Sequence, residues 1–223
     1  VTFKKNMATA LPKVERSFSE NLTATGKYGN ELAEVDVFFP ITHGKKGEDG
    51  SLQGLLELLG KPYVGADVYG SAICMDKDVT KRLLQHHSIP VSKYKLLRNS
   101  DELSFEDAVK ELGSKLFVKP CREGSSLGVS KVRNVGEYRA ALQQAFSTDR
   151  KVLVEEAISG REIECSVLGN DFPDSASVLG EIVPLREFYS YEAKYVDDDG
   201  AELKIPAEID PEVSLKIRKA AVK

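Results

Sequence analysis

The segment KPCREGSSLG, from Lys119 to Gly128, sets a lysine, two glycines and two adjacent serines, Ser125 and Ser126, in one turn. Small residues let backbone N–H groups approach an anion, and hydroxyls and an ammonium add donors, so this composition suits a phosphate. Apolar runs flank it, Leu116-Phe117-Val118 before and Val129 to Val132 after. The familiar nucleotide loops pass from a strand into a helix whose N-terminus holds the phosphate, and no helical pattern follows here. The spacing therefore predicts a hairpin that closes over a polyphosphate as a flap. Lys77, beside Asp76 at a predicted helix start, offers a second cation. A lone lysine is more often a solvated surface charge. Two of them flanking one glycine-serine loop weigh phosphate binding and solvation evenly.

Three further groups could act with the flap. In VLVEEAISGREIE a strand ends at Glu155 and Glu156, passes Ala157 and Ile158, turns at Ser159-Gly160 and resumes with Glu162. Backbone groups there could read a purine edge while a carboxylate accepts two ribose hydroxyls; a hairpin with exposed glutamates fits the same spacing. FYSYEAKY gathers Tyr189, Tyr191, Lys194 and Tyr195, aromatic residues that serve equally as packing anchors. His43 opens the glycine-rich HGKKGEDG at a strand end, where functional side chains concentrate, whereas His86 and His87 sit in a helix as structural or solvated residues.

These groups need a scaffold. VDVFFPI from Val35 reads as a buried strand, His43 to Gly50 as the loop after it, and Leu52, Leu55, Leu56 and Leu59 as the apolar face of a helix stopped by Gly60 and Pro62. A second helix opens near Asp76 and turns Val79, Leu83 and Leu84 inward before Ile89-Pro90, and Tyr94 to Leu97 is extended. Ser104 and Asp107 cap a third, with Phe105, Ala108, Val109 and Leu112 buried and Gly113 closing it. Asn134 and Glu137 cap a fourth to about Phe146, and Lys151 to Glu155 returns as a strand. Glu162 to Leu168 alternates as a half-buried strand would, Val178 to Val183 is another strand, and Arg186 to Lys204 has the length of a functional lid. Asp210 and Pro211 start a last helix with Val213, Ile217 and Ala220 on one face, and no stop signal precedes Lys223. Residues 1 to 33 show no periodicity. The chain reads as a fragment.

Composition excludes several classes. At 223 residues, 41% hydrophobic and 30% charged, the chain is globular in composition, and a formal charge of -4 leaves no basic excess for nucleic acid. Cys74, Cys121 and Cys165 have no paired spacing, so neither a disulfide framework nor a zinc site is expected and a reducing cytoplasm fits. No apolar stretch nears the roughly 20 residues of a membrane span.

Taken in order, HGKKGEDGSLQGLLELLGKPYVG, MDKDVTKRLL, FVKPCREGSSLGVSKV, VEEAISGREIECSVLGN and FYSYEAKYVDDDGAELKIPAEI resemble five motifs of the D-alanine–D-alanine ligases, ATP-grasp enzymes of bacterial peptidoglycan synthesis. The resemblance covers residues 34 to 223. It implies an α/β (α+β) ATP-grasp fold with part of an N-terminal pre-ATP-grasp α/β domain: residues 1–70 a partial substrate-binding domain, 71–155 the central subdomain with the flap, and 156–223 the start of the C-terminal subdomain with the lid. It implies that Lys77 and Lys119 hold the α- and β-phosphates of ATP under Ser126 and the flap. Glu155 and the Ile158 backbone would read adenine, Phe188 would pack on its ring, and Glu162 would bind the ribose. Ser125 and Tyr195 would order the lid over the first D-alanine, and Lys194 would reach the transferred phosphoryl group near His43. The lid YEAKY is similar to that of the dipeptide-forming enzymes.

What the resemblance leaves out is also informative. The family's N-terminal glycine-rich segment, with the glutamate that holds the first substrate's ammonium, has no counterpart here. Nor does the C-terminal segment with an arginine and the residues that bind magnesium. No metal ligand is therefore assigned in this chain, and Mg2+, or Mn2+ in its place, is expected to be held elsewhere. From these residues alone the expectation is adenine-nucleotide contact without turnover. Two rivals stand beside the dipeptide ligase, a D-alanine–D-lactate ligase and a non-catalytic ATP-binding module. A homodimer is expected, and no nucleic-acid or membrane partner.

Overall fold

The computed structural model describes residues 35–170, 175–184 and 201–223, which belong to two units, Val1–Met75 and Asp76–Lys223. In the first unit the segment after Thr42 folds back on itself. Gly47 N–H and Glu48 N–H both donate to Gly44 O, at 3.2 and 2.9 Å. A Cβ on Gly47 would lie 2.5 Å from Thr42 Oγ1, so only glycine fits. Helix α1 (Ser51–Leu58) follows, and only Leu56 of its leucine face, with Leu59 beyond its end, is buried; Leu55 is exposed. A helix that the sequence reading did not expect comes next, α2 (Val68–Met75), where Asp67 Oδ1 accepts from Gly70 N–H at 2.7 Å. It is apolar on nearly all sides, so no period marks it. The buried strand expected at VDVFFPI is instead a single parallel bridge between Phe38 and Tyr63. Val37, Phe39 and Ile41 are exposed. An apolar run is buried only where neighbours cover it, and one residue of pairing among the described residues does not.

In the second unit Asp76 caps α3 (Lys77–His86), accepting from the N–H groups of Asp78 and Val79. The inward face of α3 differs from the expected one: Leu83 is exposed, and the buried residue is Asp78. Lys151 Nζ at 2.8 Å and Arg82 Nη2 at 3.1 Å supply the charge that lets a carboxylate lie there. Strand β1 (Tyr94–Leu97) leads to α4 (Phe105–Leu112), capped by Ser104 as its S-x-x-D spacing predicts and closed by Gly113 at φ 101°. Then come β2 (Leu116–Pro120), β3 (Ser130–Val132), α5 (Val135–Thr148) capped by Asn134, and β4 (Val152–Glu156).

These four strands form an antiparallel sheet ordered β1-β4-β2-β3. Side chains alternate across it. Leu97, Leu116, Val118, Val132, Val152 and Val154 point to one face and pack on Ala108 and Leu112 of α4 and Tyr138, Ala141, Leu142 and Ala145 of α5. The opposite face carries Tyr94, Phe117, Lys119, Lys131, Leu153 and Glu155 by the same register.

The stretch expected as one strand from Glu162 to Leu168 is two, β5 (Glu162–Glu164) and β6 (Val167–Leu168). Between them Ser177 Oγ accepts from Ser166 N–H at 3.0 Å, and this side-chain acceptor replaces a ladder bond. β6 pairs with β7 (Ser175–Ala176), while β5, β8 (Gly180–Pro184) and β9 (Ala201–Lys204) form a three-stranded sheet ordered β5-β8-β9. The end of the expected lid is thus a strand. Phe188, Lys194 and Tyr195 lie outside the described residues. Helix α6 (Pro211–Val222), capped by Asp210, buries none of its residues: Val213 and Ala220 are exposed because no described element covers that side. Among the described residues no helix is long and apolar enough to cross a membrane.

Candidate active site

The flap is a hairpin, as its composition predicts: Leu116 pairs with Val132, Phe117 with Lys131 and Val118 with Ser130. Its connector makes two tight returns, Leu127 N–H to Gly124 O at 3.0 Å and Val129 N–H to Ser126 O at 3.2 Å. Ser125 and Ser126 stand at φ 52° and 59°, and Gly128 at 70°. A left-handed serine costs about 1–2 kcal/mol, and such strain persists where surrounding structure imposes it. Asp149 braces the base of this loop. Its carboxylate accepts from the N–H groups of Arg122 at 2.8 Å and Lys151 at 3.2 Å and from the Arg122 guanidinium, tying the flap's start to the start of β4. Gly128 is limited twice, because a Cβ would also come within 3.2 Å of Pro120. Gly128→Ala is expected to cost about 1–2 kcal/mol in urea denaturation.

Beneath the flap lies a group of cations around one carboxylate. Glu155, 5% exposed, receives Lys119 Nζ at 2.8 Å on one oxygen and faces Lys81 Nζ at 3.3 Å on the other. Burial pushes its carboxyl up, and the two ammonium groups outweigh that and hold it below the usual carboxylate value. Ser92 Oγ lies 3.3 Å from Glu155 and receives Lys81 Nζ at 2.6 Å. Lys81 stands over the Tyr94 ring and Lys119 over the Phe117 ring, at 5.2 and 5.7 Å, within cation–π range. Lys77 completes the group. Its ammonium donates to the carbonyls of Glu123 and Cys121, and burial together with nearby Lys119 lowers its pKa. A cation held there among other cations favours an incoming anion.

Of the residues singled out in the sequence, Lys77, Lys119 and Glu155 therefore converge at the base of the flap, where Lys77 donates to Cys121 and Glu123. Ile158 lies just past β4 and is exposed, and Glu162 is exposed at the head of β5. His43, in the other unit, is exposed with Nδ1 3.9 Å from Glu48 Oε1. Lys81, Ser92 and Asp149 were not singled out. Lys81 had a readable signal, since it sits four residues from Lys77 on one helix face; the other two had none. Cys121 is fully buried, and burial pushes its thiol up to about 12, so it offers no nucleophile. Among the described residues no group of three or more His, Cys, Asp or Glu could hold a metal ion. A cleft of about 920 Å³ between α4 and α5 is lined by Phe105, Tyr138, Leu142 and Phe146 and holds none of these lysines.

The buried carboxylates give a pH dependence. Asp149 is pushed up by burial and pulled down further by Arg122, and its net pKa, like that of Glu155, is lowered. A lowered carboxyl contributes stability that is complete above its unfolded value and is lost as pH falls through the folded one. Urea midpoints are thus expected to be flat near neutrality and to drop below about pH 4.

Residues 83–223 match the family described as D-ala D-ala ligase C-terminus, and residues 3–66 match D-ala D-ala ligase N-terminus. The chain is 51% identical over 197 residues to the D-alanine–D-alanine ligase of Proteus mirabilis, covering 87% of this chain and 54% of that one. It is 50% identical over 217 residues to D-alanine–D-alanine ligase A of Escherichia coli K12, covering 96% and 59%. Two solved structures share its fold: the D-alanine-D-alanine ligase from Coxiella burnetii (TM-score 0.71, 38% identity, 84% of this chain and 49% of that) and the VanG D-Ala:D-Ser ligase from Enterococcus faecalis (0.70, 42%, 84% and 55%). The chain thus spans between half and three fifths of the length of these curated relatives. Sheet, flap and sequence agree, and the chain belongs to the D-ala D-ala ligase family, with its α/β ATP-grasp fold.

Proposed function

We propose that this chain forms the nucleotide-gripping part of an ATP-dependent D-alanine–D-alanine ligase that serves peptidoglycan synthesis. The observation that carries this reading is the convergence of Lys77 and Lys119 beside a strained serine-glycine flap. Lys77 and Lys119 hold the α- and β-phosphates, with Ser126 and the flap backbone above them. Glu155 and the Ile158 backbone read the adenine, Phe188 packs on its ring, and Glu162 binds the ribose. Ser125, Tyr195, Lys194 and His43 serve the D-alanine end. The three-part division at residues 1–70, 71–155 and 156–223 assigns these roles to domains. Mg2+, a cytoplasmic setting and a homodimer belong to the same reading.

The chemistry requires a closed site. A carboxylate is a poor acyl donor, so its oxygen takes the γ-phosphoryl of ATP, ADP leaves, and an acyl phosphate forms. The amine of a second D-alanine then attacks the acyl carbon, the carbon–oxygen bond to phosphate breaks, and the amine gives up a proton. Water would intercept the acyl phosphate, and a flap that covers the polyphosphate excludes it. Fixed lysines stabilise charge through the phosphoryl transfer.

Calorimetry of ADP with this chain tests the nucleotide half, and saturable binding is expected. D-alanine-dependent phosphate release by the protein that carries this chain tests the rest. A 42% identity to a D-Ala:D-Ser ligase makes the second substrate the point of comparison. With D-alanine, D-serine and D-lactate offered together, D-alanyl-D-alanine is the expected product, and dominance of either other product at neutral pH would overturn the assignment.

A further inference from the structure

We propose that Lys81 is a positioning residue for the polyphosphate: by holding the Glu155 carboxylate, it frees Lys119 to leave that carboxylate for a phosphate oxygen. This rests on the nucleotide-binding reading above. Lys119 is committed in this structure, its ammonium 2.8 Å from Glu155 Oε2. To serve a phosphate it must share or abandon that contact. Glu155 is almost wholly buried, and a buried carboxylate stripped of its partner is strongly unfavourable. Lys119 could therefore move only if a second cation stayed behind.

Lys81 meets that need. It is 14% exposed, reaches Oε1, the oxygen Lys119 does not use, and is fixed from three sides by Glu155, the Ser92 hydroxyl and the Tyr94 ring. The groups facing Glu155 are Lys81 and, at longer range, Lys77 from α3, Lys119 and Phe117 from β2, Tyr94 from β1 and Ser92 just before it. Of the three lysines, Lys77 is turned to the carbonyls of Cys121 and Glu123, which leaves Lys81 as the one that can hold the carboxylate when Lys119 departs. Without Lys81, Lys119 stays locked on Glu155 and the phosphates lose a partner, while the adenosine end is little affected because Lys119 still fixes the carboxylate that reads the adenine.

The test compares ADP with adenosine, by calorimetry and by competition, in this chain and in Lys81→Met, Lys81→Arg and Lys81→Met/Glu155→Gln. Lys81→Met is expected to weaken ADP about tenfold and adenosine less than about twofold. Lys81→Arg should restore most of the ADP affinity. The double variant should bring the ADP-to-adenosine ratio back, because an uncharged Glu155→Gln side chain no longer holds Lys119. Equal losses for ADP and adenosine, or no recovery in the double variant, would mean a merely structural lysine and overturn the proposal. If melting shows Lys81→Met unfolded, Glu155→Gln alone decides: a raised ADP-to-adenosine ratio supports the proposal and an unchanged or lower one overturns it. Absence of ADP binding by the unaltered chain would instead refute the nucleotide reading on which all of this stands.

Discussion

Lys119→Met is expected to weaken ADP binding about a hundredfold while leaving the fold nearly intact. A charge-assisted hydrogen bond is worth about 1.5–3 kcal/mol, and with every 1.4 kcal/mol a factor of ten, its loss from a covered phosphate reaches that range. Stability should change much less, because Glu155 would keep Lys81 at 3.3 Å and Ser92 beside it. The two readouts are therefore predicted to separate: calorimetry moves and the melting temperature stays within a few degrees. An unaltered ADP affinity would place the phosphates away from the flap.

Asp149→Ala is the reverse case, a large loss of stability at a residue that touches no ligand in our reading. Its side chain is buried, with 1% exposed, and it accepts from two backbone N–H groups as well as from Arg122. Arg122 can turn to water, since 46% of its side chain is already exposed, so no buried cation is stranded. The two N–H groups cannot escape so easily. Both bonds are part-buried, and a donor left without a partner costs about 1–3 kcal/mol when wholly buried, so two give about 2–6 kcal/mol and partial access to water puts the expected loss at about 2–4 kcal/mol in urea denaturation. Asp149→Asn, which keeps an acceptor oxygen, should lose about half as much. A loss under about 0.5 kcal/mol, the usual scatter of surface changes, would show that Asp149 does not tie the flap to β4.

Much of this was readable from local chemistry. Caps at Asp76, Ser104, Asn134 and Asp210 appear where short polar side chains precede a helical pattern, because that choice is made within four residues. The hairpin at residues 116–132 was legible for the same reason. What failed depended on neighbours distant in sequence. VDVFFPI has the composition of a buried strand and pairs through one residue; α3 buries Asp78 rather than Leu83 because Lys151, far along the chain, neutralises it. At the site, lysines and serines announced an anion. That Glu155 would be clasped by Lys81 and Lys119 at once could not be read from spacing, since it needs the register of β1, β4 and β2.

The alternation of side chains through the central sheet has an evolutionary corollary. Positions 116, 118, 152 and 154 face the helices, whereas 117, 119 and 155 face the lysines. Selection for thermal robustness and selection for catalytic performance therefore act on opposite parities of the same strands, and drift in one set need not disturb the other. Variants gathered from laboratory evolution should sort by odd and even number within β2 and β4, and with the parity reversed in β1, where Leu97 faces the helices.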